Sequence, residues 1–247
     1  MSHTQKNNKD IYLFGRHPIE LALKNKRRQI LELYHTSDAL SGIRIPMGTK
    51  TRCVDRSFLD TLVGKDALHQ GLVARVVPLS QPTLDEMLKA VASKETALVI
   101  ILDQITDPHN IGAILRSAAA FDVDAVIVPE TGTPAETGTL AKSASGALEL
   151  IPMIRVSNLI RAMEKLKKAD FWCIGLDGYA SDSITGTKLP KRCAFVMGSE
   201  GDGMRRLTQE NCDYSVRLPM NPVIESLNVS NAAALTLYEF RRQYPAT

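Results

Sequence analysis

No apolar run in this 247-residue chain approaches the roughly 20 residues that a membrane-crossing helix needs. The opening MSHTQKNNKD is polar and lacks an apolar core, so it does not read as a secretory signal. It also lacks the Arg content and amphipathic spacing of a mitochondrial presequence, which leaves the cytoplasm as the expected location. Cysteine is scarce: Cys53, Cys173, Cys193 and Cys212 are far apart and form no CxxC pair. That argues against a zinc site or a disulfide framework and for reduced, structural thiols. No GxxxxGKS or GxxxxGKT run occurs, which excludes a P-loop nucleotide hydrolase. The glycines of GSEGDG, at 198, 201 and 203, run in the reverse order of GxGxxG. No ribose-binding acid follows on a second strand about twenty residues later, so a Rossmann dinucleotide site is excluded too. There is no internal repeat and no low-complexity tract.

What remains is ordinary for a globular protein: 44% hydrophobic and 23% charged residues. The length suits one large domain or two modest ones. The net charge is only +3 but unevenly spread. Residues 1–80 hold 13 Lys or Arg against 7 Asp or Glu, giving +6, and the remainder holds 17 against 20, giving −3. A basic front third on a nearly neutral body points to a polyanion partner met through the N-terminal part, or to a merely solvated surface.

The periodicity divides the chain. Strands are expected at 11–14, 30–36 and 71–79 and helices at 18–25 and 55–64, which makes a small α/β unit of about 70 residues. Residues 81–95 read as a linker with a short amphipathic helix, giving an N-terminal domain over 1–80 and a second domain over 96–247. From Ala97 the pattern alternates. ALVIILD (97–103) is continuously apolar, as a parallel strand buried on both faces is. A helix over 111–121, a strand at 125–129, a strand at 148–154 and a helix over 158–169 follow. Further strands are expected at 171–177, 194–198 and 214–220. Such alternation predicts a parallel-sheet α/β domain.

Three segments combine an apolar strand with a polar loop and a helix, and suggest one composite site above the ends of parallel strands. In the first, Asn110 is placed to cap the helix or to serve a site, and Arg116 lies two turns further on within an otherwise small, apolar run. In the second, Gly198, Ser199, Gly201 and Gly203 allow close backbone approach to a ligand. Glu200 either orients that ligand or pairs with Arg205 or Arg206. In the third, Leu218, Met220 and Leu227 suit an apolar slot. Glu225, Ser226, Asn228, Ser230 and Asn231 exceed what a helix cap requires.

These segments resemble the three motifs of the SpoU family of RNA ribose 2′-O-methyltransferases, within the SPOUT superfamily. Asn110-Ile-Gly-Ala-Ile-Leu-Arg116 is similar to the first motif and Met197-Gly-Ser-Glu-Gly201 to the second. Leu218-Pro-Met220 with Glu225-Ser-Leu-Asn-Val-Ser230 is similar to the third. GRHPIELAL (15–23) and HQGLVA (69–74) resemble the family's RNA-binding domain of the ribosomal-protein L30 type. The likeness is greatest to the bacterial 23S rRNA guanosine enzymes. Pro222-Val223-Ile224 departs from many relatives in the third loop.

The resemblance implies a SPOUT parallel-sheet domain whose C-terminal third threads a trefoil knot, a homodimer with a composite active site, and ribosomal RNA as partner. It implies S-adenosylmethionine as cofactor, gripped by Gly198, Ser199, Gly201, Leu218, Met220 and Leu227, and no metal. Arg116 is then the group at the reacting hydroxyl, where it stabilises the developing alkoxide, because a guanidinium is almost never neutral. Asn110, Glu200, Ser226 and Asn228 position it with the ribose and the cofactor. The basic cluster Lys24, Lys26, Arg27 and Arg28, beside Arg16, is expected to hold RNA. The rival readings are a tRNA ribose methyltransferase and, from another class, a non-catalytic RNA-binding or ribosome-assembly factor.

Overall fold

The structure is a computed structural model that describes residues 10–221, 223–224 and 226–245. The chain forms two compact units. The first comprises the residues up to Ser80 together with Pro134–Leu150, and the second Gln81–Thr133 with Ile151 onward.

In the first unit, β1 (Ile11–Phe14) is followed by α1 (Arg16–Lys24), β2 (Ile30–His35), β3 (Thr51–Cys53), α2 (Arg56–Val63) and β4 (Leu72–Val76). The sheet order is β1-β4-β2-β3, with β4 antiparallel to both its neighbours and β3 parallel to β2. The short strand β3 escapes a hydropathy reading because all three of its residues are exposed. α2 is capped by Asp55, whose carboxylate accepts from Phe58 N–H at 2.8 Å, and ends at Gly64, where φ is +92°. Leu59 of α2 packs with Phe14, Tyr34 and Val73 in a small core.

In the second unit, α3 (Leu84–Ala90) opens with a capping box between Thr83 and Glu86. Its Leu84 and Met87, with Val91, are buried in the core of this unit. Residues 81–95, expected as a linker, are therefore a packed part of it. Next come β5 (Ala97–Leu102), α4 (Pro108–Ala120) and β6 (Ala125–Pro129). The segment 134–150 then supplies α5 (Gly138–Ser143) and a 3-10 turn at Ala147–Glu149 to the first unit, so 96–247 is not all one body. This splits the strand expected over 148–154. Ser145 and Gly146 turn the chain at φ +51° and +87°, and β7 begins only at Met153 (Met153–Val156). Pro152, just before it, has no N–H to give a ladder.

The rest of the second unit runs α6 (Leu159–Lys168), β8 (Trp172–Leu176), β9 (Asp182–Ser183), β10 (Arg192–Met197), α7 (Arg206–Glu210), β11 (Tyr214–Arg217) and α8 (Val229–Gln243). Its sheet has the order β7-β6-β5-β10-β8-β11-β9, and each neighbouring pair is parallel. The six residues of β5 are all buried, as a strand covered on both faces requires. From β5 the chain runs outward through β6 and β7, while β10 lies on the other flank of β5. The reversal makes a crevice at the carboxyl ends of β5 and β10, where open α/β sheets place their ligands.

Candidate active site

The loops leaving β8, β10 and β11 wall a cleft of about 400 Å³. β8 contributes Leu176 to Tyr179, β10 contributes Met197 to Met204, and β11 contributes Leu218 and Met220. Ser226, Leu227, Val229 and Ala232 close it from the start of α8. The cleft thus gathers Gly198, Ser199, Gly201, Leu218, Met220 and Leu227, the residues expected at a cofactor, together with Ser226. The β8 loop was not anticipated. The signal was present in the run CIGLDGY, a strand that ends on Asp-Gly. Asp177 fixes that loop, accepting from Tyr179 N–H and from Gln209 Nε2, both at 2.9 Å.

The β10 loop is a closed turn. Ser199 N–H donates to Gly203 O at 3.0 Å and Gly203 N–H donates back to Ser199 O at 3.1 Å, with Gly203 at φ +66°. A Cβ on Gly198 would overlap the backbone of Gly203 and Met204. The crowding that demands glycine there comes from the loop's own return arm, not from a ligand. At Gly201, by contrast, a Cβ would meet nothing within 4 Å.

Glu200 ties the three motif loops together. Its Oε1 accepts from Asn110 Nδ2 at 3.2 Å, Asn228 Nδ2 at 2.5 Å and Val229 N–H at 3.1 Å. Asn228 Nδ2 also donates to Asn110 Oδ1 at 3.0 Å. Pairing of Glu200 with Arg205 or Arg206 does not occur, because Arg205 is directed to Asp103 and Arg206 to Glu210. Asn110 is not the cap of α4. Asp107 is, accepting from His109 N–H at 2.9 Å, with Pro108 in the first turn. That frees the Asn110 amide for the cluster. Asn228 does cap its own helix, accepting from Ser230 N–H at 3.0 Å.

Arg116 lies on α4, about 9 Å further along the axis and about 120° round it from Asn110. It is exposed, and the partners of Glu200 Oε1 are Asn110, Asn228 and Val229, not Arg116. Glu225 and Pro222 lie outside the described residues.

The basic cluster of the first unit is not uniform. Lys24, Lys26 and Arg27 are exposed. The Arg16 side chain donates to Glu20 at 2.8 Å and to Ser41 O at 2.6 Å. Arg28 is withdrawn from solvent altogether. Its Nη2 lies 2.6 Å from Glu149 Oε1 and 2.7 Å from Glu136 Oε1, and its Nη1 donates to Val77 O at 2.9 Å. Burial lowers its pKa, but the hydrogen bond to Glu149 and the charges of Glu136 and Glu149 outweigh that, and the pKa is raised. Arg28 is an internal ion-pair residue, not an RNA contact.

The thiols are free. Burial pushes Cys173 and Cys212 up to about 12, and the nearby Asp213 adds to it, which suits packing better than chemistry. Among the described residues no group of three or more His, Cys, Asp or Glu is placed to hold a metal.

A parallel sheet with a cleft at its switch point, walled by a closed glycine turn and apolar side chains, defines an α/β protein with a site suited to a small ligand. Comparison narrows this. Residues 97–238 match the model of the SpoU rRNA Methylase family, and residues 12–82 match that of RNA 2′-O ribose methyltransferase substrate binding. The chain belongs to the SpoU rRNA methylase family. It is 39% identical over 238 residues to the 23S rRNA (guanosine-2′-O-)-methyltransferase RlmB of Vibrio cholerae, covering 94% of this chain and 96% of that one. To RlmB of Escherichia coli it is 37% identical over 238 residues, covering 94% and 98%. In fold it resembles the SpoU methyltransferase AviRb of Streptomyces viridochromogenes, solved with AdoMet, at a TM-score of 0.79 and 24% identity over 95% of this chain and 90% of that one. The TrmH/SpoU tRNA modifying enzyme of A. aeolicus aligns at 0.53 and 23% identity, over 65% of this chain and 83% of its own.

Proposed function

We propose that this protein transfers a methyl group from S-adenosylmethionine to a ribose 2′-hydroxyl of RNA, with a guanosine of 23S rRNA as the target. The observation that carries the reading is the meeting of the three motif loops at Glu200, beside a cleft at the sheet's switch point, in a chain aligned with guanosine-2′-O-methyltransferases over 94% of its length.

The cleft suits the cofactor. Leu218, Met220 and Leu227 offer an apolar slot for an adenine, and the bare backbone around Gly198, Ser199 and Gly201 offers amides and carbonyls for its polar edge and ribose. When bound, the cofactor supplies an electrophilic methyl group on a sulfonium. The protein's part is orientation and electrostatics. Glu200, Asn110 and Asn228 lock the loops at one angle, and Ser226 borders the cleft. The Arg116 guanidinium stabilises the alkoxide that develops as the ribose hydroxyl loses its proton to a phosphate or a water.

The same reading makes residues 1–80 the RNA-binding domain, of the L30 type, with Arg16, Lys24, Lys26 and Arg27 toward phosphates. The second unit, without 134–150, then carries the methyltransferase with a C-terminal trefoil knot. A homodimer completes the site. On α8, Leu235 and Tyr238 are exposed and offer a packing face, while Ala232, Ala233 and Leu237 are taken up in the protomer's own core. Such an enzyme works in the cytoplasm, where ribosomal RNA is. A tRNA target is disfavoured by the 39% and 37% identity to 23S rRNA enzymes over 94% of this chain, and a purely binding role by the intact cluster around Glu200.

Two measurements test this. Calorimetry with S-adenosylmethionine should give one site per chain. Mapping of 2′-O-methyl groups in ribosomal RNA from a deletion strain should show one guanosine lost. An unaltered 23S map, or a methyl lost from tRNA, refutes the assignment.

A further inference from the structure

Ser199 and Asp202 each line two cavities. One is the cofactor cleft. The other, of about 270 Å³, opens at the carboxyl ends of β5 and β6. Its volume falls just below the range of about 300–1,000 Å³ typical of sites for drug-sized ligands, so it suits a single small planar group. Most of the residues that line it carry polar side chains. Gln104 and Thr106 come from the loop after β5, Thr131 and Thr133 from the loop after β6, and Asp202 and Arg205 from the β10 loop. Ile105 and Pro129 add apolar surface.

Two features hold this wall in shape. The carboxylate of Asp103 is wholly buried at the end of β5. Its Oδ2 accepts from Arg205 N–H at 2.9 Å, while its Oδ1 lies 3.5 Å from Arg205 Nε with no hydrogen bond. A buried carboxylate thus anchors the backbone of Arg205, a residue that lines the cavity. Gln104 adopts φ +63°, a left-handed conformation that a side-chain-bearing residue keeps only where its surroundings enforce it.

We propose that this second cavity is a base-recognition subsite. It takes the base of the nucleotide whose ribose is methylated, and it prefers guanine. The proposal rests on the ribose-transfer reading above. Sequence-selective proteins read RNA on unstacked bases, through hydrogen bonds to their edges. Guanine presents two donors, N1–H and the 2-amino group, next to two acceptors, O6 and N7. A carboxylate matches the donors and a guanidinium the acceptors. Asp202 and Arg205 are that pair. Adenine sets the lone pair of N1 against the carboxylate and its 6-amino group against the guanidinium, so both contacts become repulsive. Because Ser199 and Asp202 border both cavities, a base seated in the second keeps its ribose beside the turn that also borders the cofactor cleft.

The test uses the full-length protein and a synthetic RNA containing the mapped target nucleotide, made with guanosine, inosine or adenosine at that position. Inosine lacks only the 2-amino group. Wild type should prefer guanosine to inosine by roughly tenfold or more in kcat/KM, and to adenosine by more, because a site built to pair a donor rejects the analogue lacking it. Asp202→Asn should slow the guanosine substrate about tenfold and bring the guanosine-to-inosine ratio close to one. A structural role for Asp202 would slow both alike, and an unchanged ratio overturns the proposal. Asp202 also borders the cleft, so a second variant is needed. Thr131→Phe fills the second cavity from an exposed turn and should block methyl transfer while the calorimetric affinity for S-adenosylmethionine stays within about twofold. Normal turnover by Thr131→Phe would overturn the proposal. Methyl transfer to none of the three RNAs by wild type would instead sink the ribose-transfer reading, and this one with it.

Discussion

Glu200 and Asn228, 28 residues apart in the chain, are joined at 2.5 Å, and the same Glu200 oxygen receives Asn110 from a third loop. The first turn of α4 and the start of α8 therefore share one acceptor in the loop after β10. Glu200→Ala should leave two side-chain amides and the Val229 N–H without it. Both asparagines are partly open to water, so the loss of stability should be modest, about 1–2 kcal/mol. Turnover should fall about a hundredfold, since a small misplacement of reacting groups is costly. Thermal melting beside a methylation assay separates the two effects. A large drop in Tm with normal turnover of the folded fraction would make Glu200 purely structural.

Arg116→Ala should reduce kcat about a hundredfold or more while cofactor affinity changes little, because a contact made in the transition state does not register in ground-state binding. Arg116→Lys should recover only part of the rate, as an ammonium lacks the guanidinium's fork of donors. Wild-type turnover in Arg116→Ala would remove the role assigned to it.

How much of this was legible beforehand depends on the kind of signal. Continuous apolar runs such as β5 and β6 announce themselves, because burial on both faces leaves no polar residue to confuse the pattern. The third loop was legible as a candidate site because Glu225, Ser226, Asn228, Ser230 and Asn231 exceed what a helix cap requires. Hydropathy could not reveal β3, which is exposed along its length. Nor could it place 134–150, whose partners in the first unit are distant in sequence: Leu79 lies 57 residues from Glu136, and Arg28 lies 121 from Glu149. Arg28 misled for the same reason. A charge run reads as surface until the acids that bury one member are known.

Gly198→Val should abolish cofactor binding and lower the yield of folded protein, because the added side chain meets backbone that cannot yield. Gly201→Ala, where a Cβ would meet nothing within 4 Å, should fold normally. If the open space there is filled by the cofactor, its affinity drops. Comparison of the two variants by calorimetry and circular dichroism tells a fold-forming glycine from a ligand-facing one.

Glu239, buried on α8, supplies a pH test. The hydrogen bond from Arg242 lowers its pKa. Burial opposes this, while the bond from Gln243 and the charge of Arg242 add to the lowering. A carboxyl depressed in the folded state stabilises the protein fully above its ordinary unfolded value of about 4.3. That stabilisation is lost as pH falls through the lower folded value. Glu239→Gln should therefore be less stable than wild type at about pH 7, and the difference should vanish at about pH 3. Urea midpoints at the two pH values measure it. A gap that persists in acid would assign the loss to packing.

Arg27 and Arg28, adjacent in sequence, should behave as opposites. Arg28→Ala strands Glu149 and Glu136 in the interior of the first unit without their cation, and breaking a buried pair in this way costs about 3–5 kcal/mol. The variant should melt early. Arg28→Met should recover part of the loss only when Glu149→Gln is combined with it, since the hazard is the unpaired charge and not the missing volume. Arg27 is exposed and should contribute nothing measurable to stability. If it contacts phosphate, Arg27→Ala should weaken RNA binding about equally across sequences and reduce the slope of log affinity against log salt by about 0.7–0.9, one counterion released per contact. The slope, read on folded protein at several salt concentrations, decides the matter. An unchanged slope for Arg27→Ala together with Lys24→Ala and Lys26→Ala would move the RNA off this helix end.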